Sequence, residues 1–170
     1  MTTINDRRSP ILILLGILVL ATAGCGYHLM KTEARTVLIG RIINESLQPQ
    51  VETRITESLN DLLLAHPVFS PAATSGSADI TLSGAIRKFE RSPLFFSTGD
   101  PPAVTMARYR VAIALSLRER NGTVTDVTVN EEFSINLTGG FDEEKMVAGI
   151  SDLAAKKILF LLTERYDEKK

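Results

Sequence analysis

The sequence predicts an α+β domain, a two-layer sandwich in which two helices pack on one face of a four-stranded mixed sheet. Three observations predict this fold. Strand-like and helix-like stretches follow in the order β-α-β-β-β-α, both helical stretches carry an apolar stripe, and the strands alternate apolar with polar residues. The chain of 170 residues has 19 basic and 20 acidic residues. This balance argues against a nucleic-acid binder, and the single cysteine excludes an internal disulfide framework.

The first 24 residues have the pattern of a secretory signal. Arg7 and Arg8 precede an uncharged apolar run over residues 11–22, which is shorter than the roughly 20 residues that span a bilayer. The run closes at Ala23, Gly24 and Cys25, which resembles a bacterial lipobox. We therefore predict a cleaved lipoprotein signal peptide over 1–24 and acyl chains, palmitate among them, on Cys25. The alternative is an uncleaved anchor with an incidental cysteine.

Residues 25–36 are predicted to form a lipid anchor and tether, followed by the folded domain over 37–165. Two or more acyl chains on one cysteine give stable membrane anchoring. Gly26 follows the cysteine, where Asp would favour retention in the inner membrane. The expected destination is therefore the outer membrane, with the domain on the periplasmic side.

Residues 37–43 are a short run rich in β-branched residues and are predicted as the first strand. Pro49 suits the first turn of a helix, and apolar residues recur from Val51 onwards at helical spacing. The helix is expected to end near His66, because the residue before a proline leaves the helical region. The unit formed with the next strand predicts a right-handed crossover between parallel strands.

The second strand is predicted from Ile80, Leu82 and Ile86, which share one face, with Gly84 as a candidate bulge position. Residues 92–105 are predicted as a long loop, because prolines and a glycine interrupt the pattern there. This predicted loop contains an apolar Leu-Phe-Phe triplet, and those side chains are expected to be either wet or folded back on the core.

The third and fourth strands alternate clearly, and the Asn-Gly pair at 121–122 signals a hairpin between them. A two-residue loop would oppose the apolar faces of the two strands, so we predict a three-residue loop with Gly122 left-handed. The predicted cross-strand pairs are Leu115–Val127, Ile113–Val129, Tyr109–Phe133 and Arg110–Glu132. The same register leaves Glu131 on the apolar face, which only a local bulge or a sheet edge would explain.

The last element is predicted to be a helix capped by Asp142. Its apolar stripe begins at Met146 and reaches Leu162, while its lysines stay in water. Residues 166–170 are predicted to be a charged, frayed tail.

The sequence contains no motif of an enzyme that we recognise: no Gly-x-Ser-x-Gly elbow, no His-Glu-x-x-His and no phosphate-binding loop. The two histidines, His28 and His66, are expected at surface or capping positions. The neighbouring carboxylates at 131–132 point to opposite strand faces, and those at 142–144 complement a helix N-terminus. We therefore predict no enzymatic activity, and no catalytic, metal-binding or cofactor-binding residue.

The sheet face away from the helices is predicted to carry small residues in its middle and Arg87, Arg108 and Arg110 at one end, with Lys88 and Arg91 nearby. We define the basic cluster as Arg87, Lys88, Arg91, Arg108 and Arg110. Glu132 is expected to offset one of these charges and Glu90 another. Like charges on neighbouring strands repel, and an anionic partner would relieve that repulsion. The alternative is a solvated basic edge without a ligand.

Two motifs carry a family resemblance: Cys25-Gly-Tyr-His-Leu29, and Asn44-x-Ser-x-x-Pro49 at the end of the first strand. With the order of elements, they make the mature chain resemble the LPS-assembly lipoprotein LptE family, while Thr22 departs from the usual lipobox leucine. The resemblance implies an outer-membrane lipoprotein that plugs and helps assemble the barrel protein LptD and assists delivery of lipopolysaccharide to the outer leaflet. It implies lipopolysaccharide contacts for the basic cluster and no catalytic residues.

Two alternatives remain open from the sequence. One is an accessory lipoprotein of another outer-membrane assembly machine, serving barrel insertion or secretin assembly. The other is a periplasmic lipid-binding carrier that uses a cavity between the sheet and the helices.

Overall fold

Two helices and a five-stranded sheet make up the part of the chain that the computed structural model describes, residues 34–138, 140 and 142–167. The elements are β1 (Arg35–Asn44), α1 (Val51–Ala65), β2 (Phe69–Pro71), β3 (Ile80–Phe96), β4 (Val104–Glu119), β5 (Val124–Asn136) and α2 (Glu143–Asp167). The predicted signal peptide, Cys25 and the motif at 25–29 lie outside the described residues. The α+β class is confirmed, while the predicted number of four strands is wrong by one.

The strand that the sequence pattern missed is β2, at one edge of the sheet. The strand order is β2-β1-β3-β4-β5, with β1 parallel to both β2 and β3 and the remaining pairs antiparallel. The parallel pairing expected after the first strand–helix unit is therefore confirmed for β1 and β3. The strand β2 has three residues and ends in Pro71, so it is too short to show a period. The Arg35 N–H holds it by donating to the Val68 carbonyl at 2.7 Å.

Half of the loop predicted over residues 92–105 is strand, seven residues of fourteen, which corrects that prediction. β3 continues to Phe96, β4 already begins at Val104, and the Ser97 N–H donates to the Ala103 carbonyl at 2.7 Å to close the hairpin. β1 pairs with β3 only as far as Ile86, so Pro93 lies on a stretch of β3 that β1 does not reach. A proline is tolerated on such an edge, because no ladder hydrogen bond is required of its missing N–H there.

The predicted register of β4 and β5 is confirmed at each of the four predicted pairs. The loop is the three-residue one: the Glu119 N–H donates to the Thr123 carbonyl at 2.9 Å, and Gly122 has a φ of 88°. Glu131 does lie opposite the buried Val111, as that register requires. It stands on β5, the outer strand of the sheet, so of the two explanations the edge applies.

The two helices follow their sequence signals, except at the end of the chain. The helix α1 covers Val51–Ala65, and the Lys145 N–H donates to the Asp142 carboxylate at 3.0 Å, which confirms the predicted cap of α2. The helix α2 continues to Asp167, and Tyr166 is 5% exposed with its hydroxyl donating to Glu119 at 3.1 Å. The prediction of a frayed tail is therefore wrong at Tyr166, which belongs to the core, and residues 168–170 lie outside the described part of the chain.

One hydrophobic core lies between the sheet and the helices. It is lined on the helix side by residues spaced four apart, which are Val51, Ile55, Leu59 and Leu63 from α1 and Ile150, Ala154, Ile158 and Leu162 from α2. The sheet contributes the alternate residues of β3 and β4 that face the helices. In the described part of the chain, no helix has both the length and the apolar character needed to cross a membrane.

Candidate functional site

The helices leave one face of the sheet uncovered, and its middle carries small side chains as predicted. Ser83 lies directly opposite Ser116, and Ala85 lies opposite Ala114, on the two central strands. These residues line a shallow groove of about 730 Å³, together with residues of β1 and β5. Short side chains let another surface approach the backbone of the sheet closely. We call this surface the uncovered face.

Glu132 holds two members of the basic cluster at one end of the uncovered face. Its carboxylate accepts from Arg110 Nε at 2.5 Å and lies 3.5 Å from Nη1 of Arg108. Glu132 on β5 faces Arg110 across the ladder, and Arg108 is two residues away on the same strand. The sequence predicted the first of these ion pairs and missed the second.

Two further members of the cluster also have carboxylate partners. Arg87 Nη1 lies 2.5 Å from Glu45, and Lys88 Nζ lies 2.6 Å from Glu90. The sequence did not predict the pair of Arg87 with Glu45, because Glu45 follows the end of β1. Its N–H donates to the Ile86 carbonyl at 3.0 Å, and this bond holds Glu45 beside β3. Each of these side chains is at least two-fifths exposed, so water screens the attraction.

Arg91, which the sequence placed only near the other basic residues, lies on the opposite side of the sheet from Lys88. The pairing of β3 with β4 shifts by one residue between Ile86 and Lys88, and Arg87 is the extra residue. Beyond that bulge Arg91 pairs with Tyr109, whose side chain faces the helices. Burial raises the pKa of the Tyr109 hydroxyl, and the positive charge of Arg91 opposes that shift. A one-residue bulge reverses which side chains share a face, and no sequence signal announced it.

The remaining four basic residues form a band of exchangeable ion pairs rather than a bare positive patch. An exposed ion pair contributes about 0–1 kcal/mol, so a multivalent anion can replace the carboxylate at small cost. Arginine is suited to phosphate because its guanidinium donates two parallel hydrogen bonds. The arrangement can therefore bind phosphate groups, provided that Glu45, Glu90 and Glu132 yield their partners.

The tip of the β3–β4 hairpin is a second surface that the sequence did not assign. The Phe95 and Phe96 side chains are 61% and 57% exposed, so they do not fold back on the core, which was one of the two outcomes expected for them. The only signal in the sequence was the apolar triplet in a predicted loop, and the length of the strands around it was not visible.

The histidine and carboxylate side chains of the described residues form no metal site. His66 caps the end of α1, where its Nδ1 accepts the Val68 N–H at 3.2 Å, as expected for a capping residue. Within the described residues, no three His, Cys, Asp or Glu side chains lie close enough together to hold a metal ion.

No protein-family model matches the chain, and no curated protein matches it in sequence. Solved structures do share its fold. Rare lipoprotein B from Shewanella oneidensis aligns with a TM-score of 0.52 and 12% identity, over 76% of this chain and 98% of that one. The PelC dodecamer subunit from Paraburkholderia phytofirmans gives 0.48 and 18%, over 74% and 86%, and lipoprotein B from Nitrosomonas europaea gives 0.47 and 14%, over 74% and 80%. The chain therefore has the fold of rare lipoprotein B, and at this identity the likeness extends to the fold alone.

Proposed function

We propose that the protein is an outer-membrane lipoprotein that plugs and helps assemble the lipopolysaccharide-translocon barrel LptD and assists delivery of lipopolysaccharide to the outer leaflet. The observation that carries the proposal is the shared fold with rare lipoprotein B, which is another name for LptE. The sequence adds the lipobox ending at Cys25 and the motif at 44–49.

The motif at 44–49 has a physical role that supports the resemblance. The Asn44 side-chain amide donates to the Gln48 carbonyl at 2.7 Å and to the Glu52 carboxylate at 2.6 Å, and its oxygen accepts from Ser46. Asn44 and Ser46 therefore stabilise the turn between β1 and α1. The motif is evidence for the fold more directly than for the partner.

The uncovered face supports a role inside or against a larger protein. A barrel wall can approach its middle, since β3 and β4 present the short side chains of Ser83, Ala85, Ala114 and Ser116 there. The ion-pair band formed by Arg87, Lys88, Arg108 and Arg110 at one end offers sites for the phosphates of lipopolysaccharide. Arg91, on the helix side, would contact the lipid only from the other side of the hairpin.

The test is co-purification of the full lipidated chain with the barrel after co-expression in a Gram-negative host. We expect the barrel to elute with the chain at equal stoichiometry, and Cys25→Ala to abolish incorporation of labelled palmitate. Recovery of barrel-insertion or secretin machinery instead would favour the accessory-lipoprotein alternative. Continued labelling of Cys25→Ala would overturn the lipidation site.

The ion-pair band gives a prediction for lipopolysaccharide binding. Replacing Arg87 and Arg110 together by Gln should weaken binding of purified lipopolysaccharide about a hundredfold or more, since two charge-assisted contacts of roughly 1.5–3 kcal/mol each are lost. Titration of both proteins against fluorescent lipopolysaccharide measures it. The matched control is Arg118→Gln, which removes a charge from an exposed arginine at the other end of β4. Equal affinities of the native protein, the double variant and the control would mean that the ion-pair band does not bind lipopolysaccharide.

The carrier alternative would require a lipid-sized space between the sheet and the helices. Large side chains from both layers fill that region, including Leu59, Leu82, Ile113 and Ile158, each at most 1% exposed. We therefore favour a protein partner over a carried lipid.

A further inference from the structure

We propose that Asn121, in the β4–β5 turn, is a site of spontaneous deamidation, and that the isoaspartate formed there opens the turn. The reactants are the side-chain amide of Asn121, the backbone nitrogen of Gly122 and water. The inference rests on the described residues of this turn and does not depend on the proposed function.

The turn presents Asn121 to water at one end of the sheet. Residues 120–123 are all exposed, and none of them belongs to the hydrophobic core. Water therefore reaches both the side-chain amide of Asn121 and the peptide bond that follows it. A change of covalent structure at this place requires no opening of the core.

Gly122 leaves the nitrogen that follows Asn121 sterically accessible. Apart from its chain neighbours, nothing lies within 4 Å of the point where a Cβ would stand, and glycine has no side chain of its own to hinder approach. Its φ of 88° is in the left-handed region, which glycine adopts at no steric cost. The glycine that the three-residue turn requires is therefore also the residue that makes attack on the Asn121 amide easy.

The side-chain amide of Asn121 is held over the turn by both of its polar atoms. Its Oδ1 accepts the Thr123 N–H at 2.9 Å, and its Nδ2 donates to the Glu119 carboxylate at 3.3 Å. The bond to the Thr123 N–H folds the side chain back over the Gly122 peptide, as in other Asx turns. A hydrogen bond to the amide oxygen also stabilises the negative charge that develops there during attack on the amide carbon.

The reaction balances with water as the only further reactant. The Gly122 nitrogen bonds to Cγ of Asn121, the bond between Cγ and Nδ2 breaks, and ammonia leaves with the proton that the Gly122 nitrogen gives up. The product is a cyclic imide. Water then breaks one of its two carbonyl–nitrogen bonds. Cleavage at Cγ gives aspartate, and cleavage at the main-chain carbonyl gives isoaspartate, whose main chain runs through Cγ.

One hydrogen bond restrains the attacking nitrogen. The Gly122 N–H donates to the Glu119 carbonyl at 2.9 Å, so the nitrogen can react only when the turn opens. Exposed turns with few buried contacts open at a low free energy, whereas core strands open only near the free energy of global unfolding. We therefore expect the amide to be lost through local opening of the turn in the folded protein.

Asn136, near the end of β5, is a matched control within the chain. Its Oδ1 accepts the Thr138 N–H at 2.9 Å, which is the same bond at the same distance, and it is also exposed. The next residue is Leu137 instead of glycine, and its N–H donates to the Thr105 carbonyl at 2.8 Å. The two asparagines therefore share exposure and side-chain bonding and differ in the residue whose nitrogen must attack.

Isoaspartate does not fit the turn that asparagine forms. It adds one atom to the main chain before Gly122, in a loop that the Glu119 N–H closes by donating to the Thr123 carbonyl at 2.9 Å. An added atom changes the span that this bond must close. Aspartate keeps the original chain path and an acceptor for the Thr123 N–H, so Asn121→Asp separates the effect of the new charge from that of the altered chain.

The experiment incubates the purified full chain and its Asn121→Ser variant at neutral pH and follows the amides by mass spectrometry of peptides. We expect the Asn121 amide to be lost while the Asn136 amide is kept, and an isoaspartate-specific methyltransferase to label position 121. The urea midpoint of the native chain should fall as the amide is lost. The midpoint of Asn121→Ser should stay constant, because serine can accept the Thr123 N–H but has no amide. The isolated isoaspartate form should have a lower midpoint than Asn121→Asp.

Each part of the inference has an outcome that overturns it. No loss at Asn121, or loss no faster than at Asn136, overturns the site. Aspartate formed without isoaspartate means direct hydrolysis and overturns the attack by Gly122. An isoaspartate form with the same midpoint as Asn121→Asp overturns the effect on the turn. None of these measurements involves a partner, so the proposed function stands or fails separately.

Discussion

Asp79 shows how a single side chain can join two strands of this sheet. Its carboxylate accepts both the backbone N–H and the hydroxyl of Thr36, each at 2.9 Å, and lies 3.2 Å from Arg120. The Thr36 backbone bond is the largest cause that holds the pKa of Asp79 below its usual value, followed by the hydroxyl bond. Thr36 lies at the start of β1 and Arg120 lies in the β4–β5 turn. Asp79 therefore links the first strand of the sheet to the β4–β5 hairpin.

Asp79→Asn should destabilise the protein at neutral pH by about 1–2 kcal/mol, because two hydrogen bonds lose their charged acceptor. A carboxylate with a lowered folded pKa contributes stability above its unfolded pKa of about 3.9, and this contribution is lost as the pH falls through the folded value. The difference between native and variant should therefore shrink at pH 3. Thermal unfolding at pH 7 and pH 3 measures it, with the exposed Asp126→Asn as control. An unchanged difference at pH 3 would contradict the role of the charge.

Gly84 is required because its neighbours leave no room for a side chain. A Cβ at this position would lie 2.4 Å from the Ala114 carbonyl and 2.8 Å from Leu115 Cδ2. Gly84→Ala should therefore cost about 1–3 kcal/mol, as other overpacked core sites do. Gly76→Ala is the matched control, since nothing lies within 4 Å of its added Cβ. Urea unfolding of the three proteins tests this, and equal midpoints would mean that β3 and β4 separate easily at this point.

At the scale of elements, β5 has an exposed edge, and Glu131 on this strand disfavours pairing with a further strand. Among the described residues β5 pairs with β4 alone. Glu131 points to the helix side of this strand, opposite Val111, and is partly buried. A charge that points inward on an edge strand disfavours addition of another strand, because the pairing would bury the charge further. This gives a physical reason for a residue that violates the apolar pattern.

Glu131→Val should increase self-association of the protein, since it removes that penalty and adds a β-branched residue to the edge. Sedimentation over a concentration series measures the association constant. The matched control is Thr128→Val, which adds a similar apolar side chain on the uncovered face of the same strand. If both variants associate equally, added hydrophobicity is the cause and edge protection is not.

The sequence predicted those elements whose local signals agree with one another. The β4–β5 register followed from the Asn-Gly turn and the need for one coherent buried face. Both helices followed from their apolar stripes, and α2 also from its Asp142 cap, whereas Pro49 lies two residues before α1 instead of in its first turn. The long β3–β4 hairpin was missed because prolines were interpreted as breakers, although Pro93 lies where β1 no longer pairs with β3. The faces on which Lys88 and Arg91 lie were not predicted, because one bulge at Arg87 reverses the alternation and bulges have no reliable signal in a single sequence.

At the scale of the whole molecule, each exposed edge of the sheet is protected against strand addition by a different feature. The strand β2 is short and ends in Pro71, β5 carries the inward Glu131, and the free part of β3 carries Pro93 with an irregular register. The helices cover one face of the sheet. Besides the outer faces of the helices, the described residues leave the uncovered face and the hairpin tip accessible, and both present side chains. We therefore expect a partner to bind through side-chain contacts rather than by strand addition.

This division predicts that the hairpin tip can be removed without unfolding the domain. None of residues 95–103 is buried, while Val104, the next residue, still packs against the core. Replacing 95–103 by Asn-Gly should change the free energy of unfolding by less than about 1 kcal/mol, because no core contact is lost and a shorter connection costs less chain entropy. Urea unfolding of the native and shortened proteins measures both the midpoint and the slope of the transition. The control is Tyr166→Ala, which opens a cavity in the core and should cost about 3–5 kcal/mol. A broadened or non-cooperative transition in the shortened protein would mean that the hairpin tip belongs to the folding unit, and the separation of fold from partner recognition would then be wrong.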